Sequence, residues 1–330
     1  MNIYDISKKA GVSIATISRV INGSTKVSPK TRAKVLAAIE ETGYTPNAFA
    51  RGLGLDSMRT IGILCADASD IYLANAIYIL ESELRSQGYN SILCCTGYAL
   101  DKKQRDLKLL ISKRIDAIVM IGSNYVENDD KDNHYIIEAA KKIPIMIING
   151  YLDATNVYCC LADDYQATFD ITKKLMEKNN KYFLYLYRSE SYSGKKKLSG
   201  FRDAFDNCHH CDHRELKCDG NITDIITHID LIKQSFPTIE AIICSDDEIA
   251  VGALKWAKKN RINVPAKLSV IGFNNSKYAT LSTPELTSID NHSDSLCKNA
   301  VDSLMRVFNG ENIPKKLMLS TDLVIRETTK

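Results

Sequence analysis

The chain has 330 residues, of which 45% are hydrophobic and 25% charged, and its formal net charge is +3. This ordinary globular composition supplies material for two or three cores and excludes a disordered chain, while no apolar run is long enough for a membrane span. The charge is uneven: residues 1–60 hold nine Lys and Arg against four Asp and Glu, a net of +5, so residues 61–330 sum to −2. A basic head on a near-neutral body is typical of a nucleic-acid-binding module.

The start of the chain and its cysteines predict a cytoplasmic location. A helical pattern begins within three residues of Met1, which leaves no room for an export signal before it. Without export, the ten cysteines are expected to be reduced thiols. Six of them lie in apolar, strand-like runs, where Cys behaves as a small core hydrophobe: Cys65, Cys94, Cys95, Cys159, Cys160 and Cys244.

The first predicted elements are two short helices joined by a tight turn at Gly11. Ser13 is placed to cap the second helix. Apolar residues are spaced to face one small core, namely Tyr4, Ile6, Ala10, Val12, Ile17 and Val20. The second helix then presents groups that suit base edges and phosphates in a major groove: Ser13, Ile14, Ala15, Thr16, Ser18 and Arg19. The alternative is a three-helix module with a solvated basic face.

A third helix is predicted between Ser28-Pro29 and Gly43, because Ser caps, Pro suits the first helical position and Gly ends helices. Its apolar stripe is Val35, Leu36 and Ile39. The following segment is a weak helix, since Gly52, Gly54 and a polar run lower its propensity. It therefore needs a partner to order it.

From Thr60 onward, buried strands alternate with amphipathic helices. The predicted strands are 61–65, 91–95, 117–121, 145–148, 182–187, 241–244 and 270–273. The predicted helices are 74–87, 103–113, 135–142, 165–178, 197–207, 222–235 and 249–260. This alternation predicts an α/β fold with parallel sheets covered on both faces, arranged as two lobes. Ligands in such sheets bind beyond the carboxyl ends of the strands, so the cleft between the lobes is the expected site.

Residues 4–6 through 20–23, then 27–32 and 43–47, resemble the head of the LacI/GalR (lactose-repressor) family, and weaker matches continue to the C-terminus. The resemblance implies a helix-turn-helix domain over residues 1–46. It implies a hinge helix and linker over residues 47–59. It also implies a two-lobed, periplasmic-binding-protein-like body over residues 60–330, which holds an effector and dimerises.

The resemblance assigns further DNA contacts to the linker. Ala48 to Leu53 would form the hinge helix in the minor groove, with Leu53 wedged between base pairs so that the duplex bends. Asn47, Ala50 and Arg51 match the family's Asn-x-x-Ala-Arg pattern, and Asn22 is expected to contact DNA as well. The alternative is that Leu53 packs on the third helix.

The same resemblance supplies candidate effector contacts. Lys197 stands where the family usually has an Arg that grips the effector, and lysine keeps the charge but loses the planar fork. Asp247 matches a ligand-facing Asp, with helix capping as the alternative, and Asn274 stands in place of an Asp. Residues in loops or at strand ends complete the set: Ser69, Tyr72, Asn124 and Asn149.

One Cys/His cluster could hold zinc: Cys208, His209, His210, Cys211, His213 and Cys218. All of its ligands would come from one short loop and no second cluster supports it, so we expect no physiological metal there. No nucleophile elbow, P-loop or His-Glu-x-x-His motif occurs. We therefore predict no catalytic residues, no cofactor and no enzymatic activity.

Together these features predict a transcriptional regulator, most simply a repressor. It would bind a palindromic double-stranded DNA operator as a homodimer, because one helix-turn-helix reads only a half-site. A small, sugar-like effector in the cleft would control it. Two alternatives stay open. One is a regulator of the same fold controlled by a phosphocarrier protein or a phosphorylated co-repressor, and the other is a solute-binding protein, which the basic head opposes.

Overall fold

The computed structural model describes residues 2–21, 24–44, 57–206, 208–218 and 220–330. Contacts divide the chain into two compact units, residues 1–60 with 114–116 and residues 61–113 with 117–330. The predicted hinge helix lies outside the described residues. The same holds for five candidate DNA contacts: Asn22, Asn47, Ala50, Arg51 and Leu53.

The first unit contains α1 (Ile3–Ala10), α2 (Ile14–Ile21) and α3 (Pro29–Thr42). These helices bury a small core formed by Ile6, Ala10, Ile17, Val20, Val35 and Ala38. The prediction was wrong for Tyr4 and Leu36, which are 64% and 50% exposed. Each lies one or two positions from a buried residue, and on a helix such neighbours point to different faces.

Local side-chain contacts fix the ends of these helices. The Ser13 hydroxyl accepts a hydrogen bond from the Thr16 amide at 3.2 Å. The Ser28 hydroxyl accepts one from the Thr31 amide, also at 3.2 Å. Gly11 has φ of 62°, the left-handed conformation that favours glycine. The predicted caps and turn are therefore confirmed.

Arg32 ties α3 to the end of α2. Its guanidinium donates to the backbone carbonyl of Val20 at 3.5 Å and to that of Ser24. These carbonyls belong to the last turn of α2 and the residues after it, where intrahelical partners run out. Arg32 is thus occupied in holding the second helix, whereas Arg19 on α2 is exposed.

Lobe 1 of the second unit is built on a six-stranded sheet with the order β11-β5-β4-β3-β1-β2. Its strands are β1 (Thr60–Cys65), β2 (Asn90–Cys95), β3 (Ala117–Ile121), β4 (Ile145–Ile148), β5 (Val157–Ala162) and β11 (Lys316–Leu319). The pairs β1–β3, β3–β4, β4–β5 and β5–β11 are parallel. Its α-helices are α4 (Ile71–Ser86), α5 (Leu100–Ser112), α6 (His134–Ala140) and α12 (Ser293–Phe308), and a 3₁₀ turn spans Asp130–Asn133.

Lobe 2 contains a second six-stranded sheet, with the order β12-β10-β9-β8-β6-β7. Its strands are β6 (Tyr182–Tyr187), β7 (Asp212–Lys217), β8 (Ala241–Cys244), β9 (Ser269–Phe273), β10 (Thr287–Asp290) and β12 (Asp322–Val324). The strands pair in parallel except β12, which runs antiparallel to β10. Its helices are α7 (Asp164–Glu177), α8 (Tyr192–Asp203), α9 (Ile222–Ser235), α10 (Asp247–Lys259) and α11 (Lys277–Leu281).

The described chain passes between the lobes three times: after β5, after β10 and between β11 and β12. The predicted two-lobed α/β body with parallel sheets is confirmed. The sequence patterns did not predict β5, β7, β10, β11, α11 or α12. No helix among the described residues combines the length and apolar character needed to cross a bilayer.

The expectation that six cysteines lie in the core is wrong for two of them. Cys65, Cys159, Cys160 and Cys244 are buried, as expected for core residues. Cys95 is exposed and Cys94 only partly buried, because β2 lies at the edge of the lobe 1 sheet.

Candidate functional site

The candidate site is a cleft between the lobes, beyond the carboxyl ends of strands of both sheets. Two adjoining cavities of about 470 Å³ and about 250 Å³ occupy it, within the size range of small-molecule sites. Residues of both lobes line both cavities: Asp70, Tyr72, Tyr98, Arg188, Asp246 and Asn274. All seven predicted effector residues line one or both cavities. Ser69 and Asp247 line the smaller cavity, Asn124, Asn149 and Lys197 the larger, and Tyr72 and Asn274 both, so all seven are present.

A chain of amides and one phenol joins the lobes at the back of the cleft. The amide group of Asn149 donates to the Tyr72 hydroxyl at 2.6 Å, and that of Asn291 lies 3.2 Å from the same oxygen. Asn291 also donates to Asn274 at 3.0 Å. The side-chain oxygens of Asn149 and Asn291 are buried and have no hydrogen-bond partner. Both residues line the larger cavity, where a ligand's hydroxyl groups could satisfy these two acceptors.

Backbone geometry accounts for two of these asparagines. Asn149 has φ of 63° and Asn274 has φ of 92°. Most side chains are strained in this region, but asparagine tolerates it better than others do. Asn274, which stands where the family has Asp, therefore tolerates this backbone conformation. It also accepts the hydrogen bond from Asn291.

Lys197 is buried in the second turn of α8 and does not open a helix, because α8 begins five residues earlier at Tyr192. Its ammonium donates to the Ser245 carbonyl at 3.0 Å and lies 3.5 Å from the centre of the Phe273 ring. Burial lowers the pKa of Lys197, while nearby Asp164 opposes that shift. The ammonium is therefore largely committed to groups of lobe 2.

Asp247 is also committed to lobe 2. Its carboxylate accepts from the Ser276 amide at 2.6 Å, the Ser276 hydroxyl at 2.8 Å and the Ser288 hydroxyl at 2.6 Å. Burial raises the pKa of Asp247 to about 6, although these hydrogen bonds act in the opposite direction. The helix cap of α10 is its neighbour Asp246, which accepts from the Ile249 amide at 2.8 Å.

Arg188 is a cleft residue that the sequence analysis missed. It follows β6 directly and donates to Glu248 at 2.9 Å and to the Gly220 carbonyl at 3.2 Å. Its guanidinium lies 3.5 Å from the Asp246 carboxylate. The sequence signal that could have identified Arg188 is an arginine immediately after a buried strand. It restores to the cleft the planar donor group that is absent at position 197.

Asp70 faces this group from lobe 1. It caps α4 by accepting from the Leu73 amide at 2.9 Å. Burial raises the pKa of Asp70; the charge of Asp246 adds to the shift, and Arg188 opposes it. The two lobes thus influence each other electrostatically across the cleft.

A pair of hydroxyl groups also bridges the lobes at the mouth of the larger cavity. Ser123 of lobe 1 donates to the Ser191 hydroxyl of lobe 2 at 2.8 Å. Ser191 is the N-cap of α8, and its oxygen accepts from the Gly194 amide at 3.3 Å. The start of α8 is therefore linked directly to lobe 1.

In the first unit, α2 presents the predicted DNA-contacting face. Ile17 and Val20 are buried, whereas Ser13, Ala15 and Arg19 are exposed. The other three candidates on this helix, Ile14, Thr16 and Ser18, are partly exposed. Exposed small, hydroxyl and guanidinium groups on the second helix of a helix-turn-helix match the arrangement that reads a major groove.

Comparison with known proteins agrees with both units. The family described as "Bacterial regulatory proteins, lacI family" matches residues 2–47, and the "Periplasmic binding protein-like domain" matches residues 172–329. An HTH-type transcriptional regulator of Lachnoclostridium phytofermentans is 52% identical, with 100% of this chain and 99% of the relative covered. Catabolite control protein A of Priestia megaterium is 30% identical over the same shares of the two chains.

Solved structures show the same fold. The lac repressor dimer bound to operator and the anti-inducer ONPF has a TM-score of 0.89 at 22% identity, covering 100% of this chain and 99% of its own. A complex of the transcriptional regulator CelR with cellobiose has a TM-score of 0.72 at 22% identity, with 99% of each chain covered.

The relatives also indicate the class of activity. A regulator that acts on bacterial DNA works in the cytoplasm and catalyses no reaction of its own. The capped helix-turn-helix, the two-lobed body and the full-length similarity to a 52% identical regulator lead to one conclusion: this chain belongs to the LacI family of DNA-binding transcriptional regulators.

Proposed function

We propose that the chain is a repressor that binds a palindromic operator as a homodimer and responds to an uncharged, hydroxyl-rich effector such as a sugar. One head offers one recognition helix, so a two-fold operator requires two copies. The lac repressor structure above is likewise a dimer on its operator. Effector binding between the lobes would favour one lobe arrangement, and operator affinity would change with that population.

The charge of the cleft lining carries the proposal of a neutral effector. The two cavities are lined by five carboxylates, Asp67, Asp70, Asp246, Asp247 and Glu248, against only two cations, Arg188 and Lys197. An anionic ligand would meet a net negative lining, which lowers its affinity. Neutral hydroxyl groups can instead donate to carboxylates and accept from a guanidinium.

The accessible polar groups define where such a ligand would bind. Asp247 and Lys197 are buried and hydrogen-bonded within lobe 2. Arg188, Asp246 and Asp70 are not buried and line both cavities, so we assign the principal contacts to these three residues. Asn149 and Asn291 add buried acceptor oxygens without partners. Tyr72, Asn124, Asn274 and Ser69 would contribute to the walls of the site, and Asp247 would position the neighbouring segment.

A thermal-shift screen tests the effector class. We expect neutral mono- or disaccharides to raise the unfolding temperature, since a ligand of the native state stabilises it by mass action. Arg188→Gln should weaken binding of the best sugar by on the order of 10- to 150-fold. Arg85→Gln, which alters an exposed arginine of α4, should leave the affinity unchanged. Stabilisation by sugar phosphates or uronates alone would contradict the neutral effector.

The DNA contacts are tested with an operator selected from a random-sequence library. Arg19→Ala should weaken operator binding by about 1–3 kcal/mol if Arg19 reads a base. An equal loss on operator and random DNA would reduce Arg19 to a phosphate contact.

Leu53→Ala should lower the bend of the bound operator, as measured by circular-permutation gel shifts. An unchanged bend would show that Leu53 does not act as a wedge between base pairs.

A further inference from the structure

A compact group of metal-ligating side chains lies outside the effector cleft. The connection from α8 to β7 carries Cys208, His210 and Cys211. This connection meets the amino end of β7, whereas the cleft lies at the carboxyl ends of the strands. None of these three residues is among the DNA or effector contacts assigned above.

The three potential ligand atoms already face one another. One atom from each residue, two sulfurs and an imidazole nitrogen, lies within 4.8 Å of the other two. The Cys208 sulfur and the His210 Nε2 atom are 4.0 Å apart. In a tetrahedral zinc site with Zn–S of about 2.3 Å and Zn–N of about 2.0 Å, neighbouring ligand atoms are roughly 3.5–3.8 Å apart. Small side-chain movements would therefore complete the geometry.

Two backbone hydrogen bonds hold the described residues at either end of the cluster. The Cys208 amide donates to the Phe205 carbonyl at 2.8 Å, and the Asp212 amide, directly after Cys211, donates to the Lys181 carbonyl at 2.8 Å. Cys211 packs against the core beneath α8. His210 is exposed and its side chain can adjust. Two anchored thiols and one adjustable imidazole form a largely preformed site.

The sequence alone predicts no physiological metal in this loop, but the proximity of the three ligand atoms argues for one. We propose that Cys208, His210 and Cys211 bind one Zn²⁺ ion, with the fourth coordination position open to water or to an added ligand. Two sulfur ligands and one nitrogen ligand suit zinc and disfavour the oxygen-seeking Mg²⁺ and Ca²⁺. His213 is not the fourth ligand, because its ring packs 4.1 Å from that of Phe205.

The ion would cross-link the connection between the end of α8 and the start of β7. β7 is an edge strand of the lobe 2 sheet, and α8 carries Ser191 and Lys197 at the cleft. Zinc would therefore stabilise lobe 2 at the side away from the effector. Binding free energy at a site absent from the unfolded chain adds to the stability of the fold.

Zinc binding to the full-length, reduced protein tests the proposal. After removal of metal with a chelator, we expect the protein to take up one equivalent of Zn²⁺ in competition with a chromogenic chelator. Cys208→Ser and His210→Gln should each lower the affinity by about 100-fold or more. His209→Gln alters the adjacent histidine and Cys95→Ser an exposed cysteine elsewhere, and both should bind zinc as the parent does.

Co²⁺ substitution provides a readout of the ligands themselves. The parent should show an intense thiolate-to-cobalt charge-transfer band that Cys211→Ser weakens and His209→Gln preserves. Circular dichroism confirms that each variant is folded. The proposal is overturned if zinc binds Cys208→Ser as tightly as the parent, if uptake follows His209 instead of His210, or if the folded, reduced parent retains no zinc against the chelator.

Discussion

At the scale of single residues, Asp247 shows how one carboxylate can hold together the segments that line a cavity. It joins the start of α10 to Ser276, before α11, and to Ser288 of β10. These partners lie 29 and 41 residues further along the chain. The position of Asp247 was predictable from the family pattern, but its partners were not, because no local pattern connects them.

The raised pKa of Asp247 predicts a pH dependence of stability. A carboxyl whose pKa rises on folding to about 6, from its ordinary value of 3.8, gives the fold stability that is fully present below the unfolded pKa. This contribution is lost as the pH rises through the folded value. The free energy of unfolding of the parent, relative to Asp247→Asn, should therefore fall between about pH 4 and pH 6 and then level off. Urea unfolding measures this difference in the free energy of unfolding. A difference that does not change with pH would contradict the burial argument.

Gly272 is predicted to be essential to the packing around this carboxylate. A Cβ atom at position 272 would lie 2.1 Å from the Asp247 carboxylate and 2.7 Å from a Leu286 methyl group. Gly272→Ala should thus lower the free energy of unfolding by about 1–3 kcal/mol. Adding Asp247→Ser should recover part of that loss, since it removes the nearest clashing atom. Equal stability of Gly272→Ala and the parent in urea unfolding would contradict this assignment.

At the scale of elements, the closest helix contact in lobe 2 is the crossing of α7 and α8. A Cβ atom on Gly200 of α8 would lie 2.2 Å from the Tyr165 carbonyl oxygen of α7. This neighbour is backbone, so it cannot rotate away. Gly200→Ala should destabilise the protein by several kcal/mol despite the higher helix propensity of alanine. Ser199→Ala, exposed on the same helix, is the control and should be neutral or stabilising in thermal unfolding.

Element predictions succeeded where the signals are local. Ser13, Ser28 and Gly11 act within a few residues, so the head could be predicted closely. β7 was missed because its sequence, Asp-His-Arg-Glu-Leu-Lys, is mostly charged. Charged residues suit an edge strand, and it is the neighbouring strand β6 that makes this segment a strand.

At the scale of the whole molecule, the uneven charge predicts the salt dependence of DNA binding. The net charge of +5 in residues 1–60 should make operator affinity fall steeply with salt, because phosphate contacts release counterions. Lys8, exposed at the end of α1, should contribute one such contact. Lys8→Gln should lower the slope of log affinity against log salt by about one, on operator and random DNA alike. Fluorescence anisotropy measures both slopes.

Lys255→Gln is the control for that experiment, because it removes an exposed lysine of α10 in the body. Its slope should equal that of the parent. A reduced slope for Lys255→Gln would show that the body contributes to phosphate binding, and an unchanged slope for Lys8→Gln would show that Lys8 makes no phosphate contact.

The three crossings between the lobes also affect the order in which the two lobes can fold during synthesis. Lobe 1 needs α12, whose Leu296, Ala300 and Leu304 fill its core, and α12 is synthesised after most of lobe 2. Lobe 2, by contrast, is nearly continuous from residue 164 to residue 290 and awaits only β12 and the tail that follows it. The later-made lobe can therefore condense first, while the earlier-made lobe stays incomplete with apolar surface exposed to chaperones.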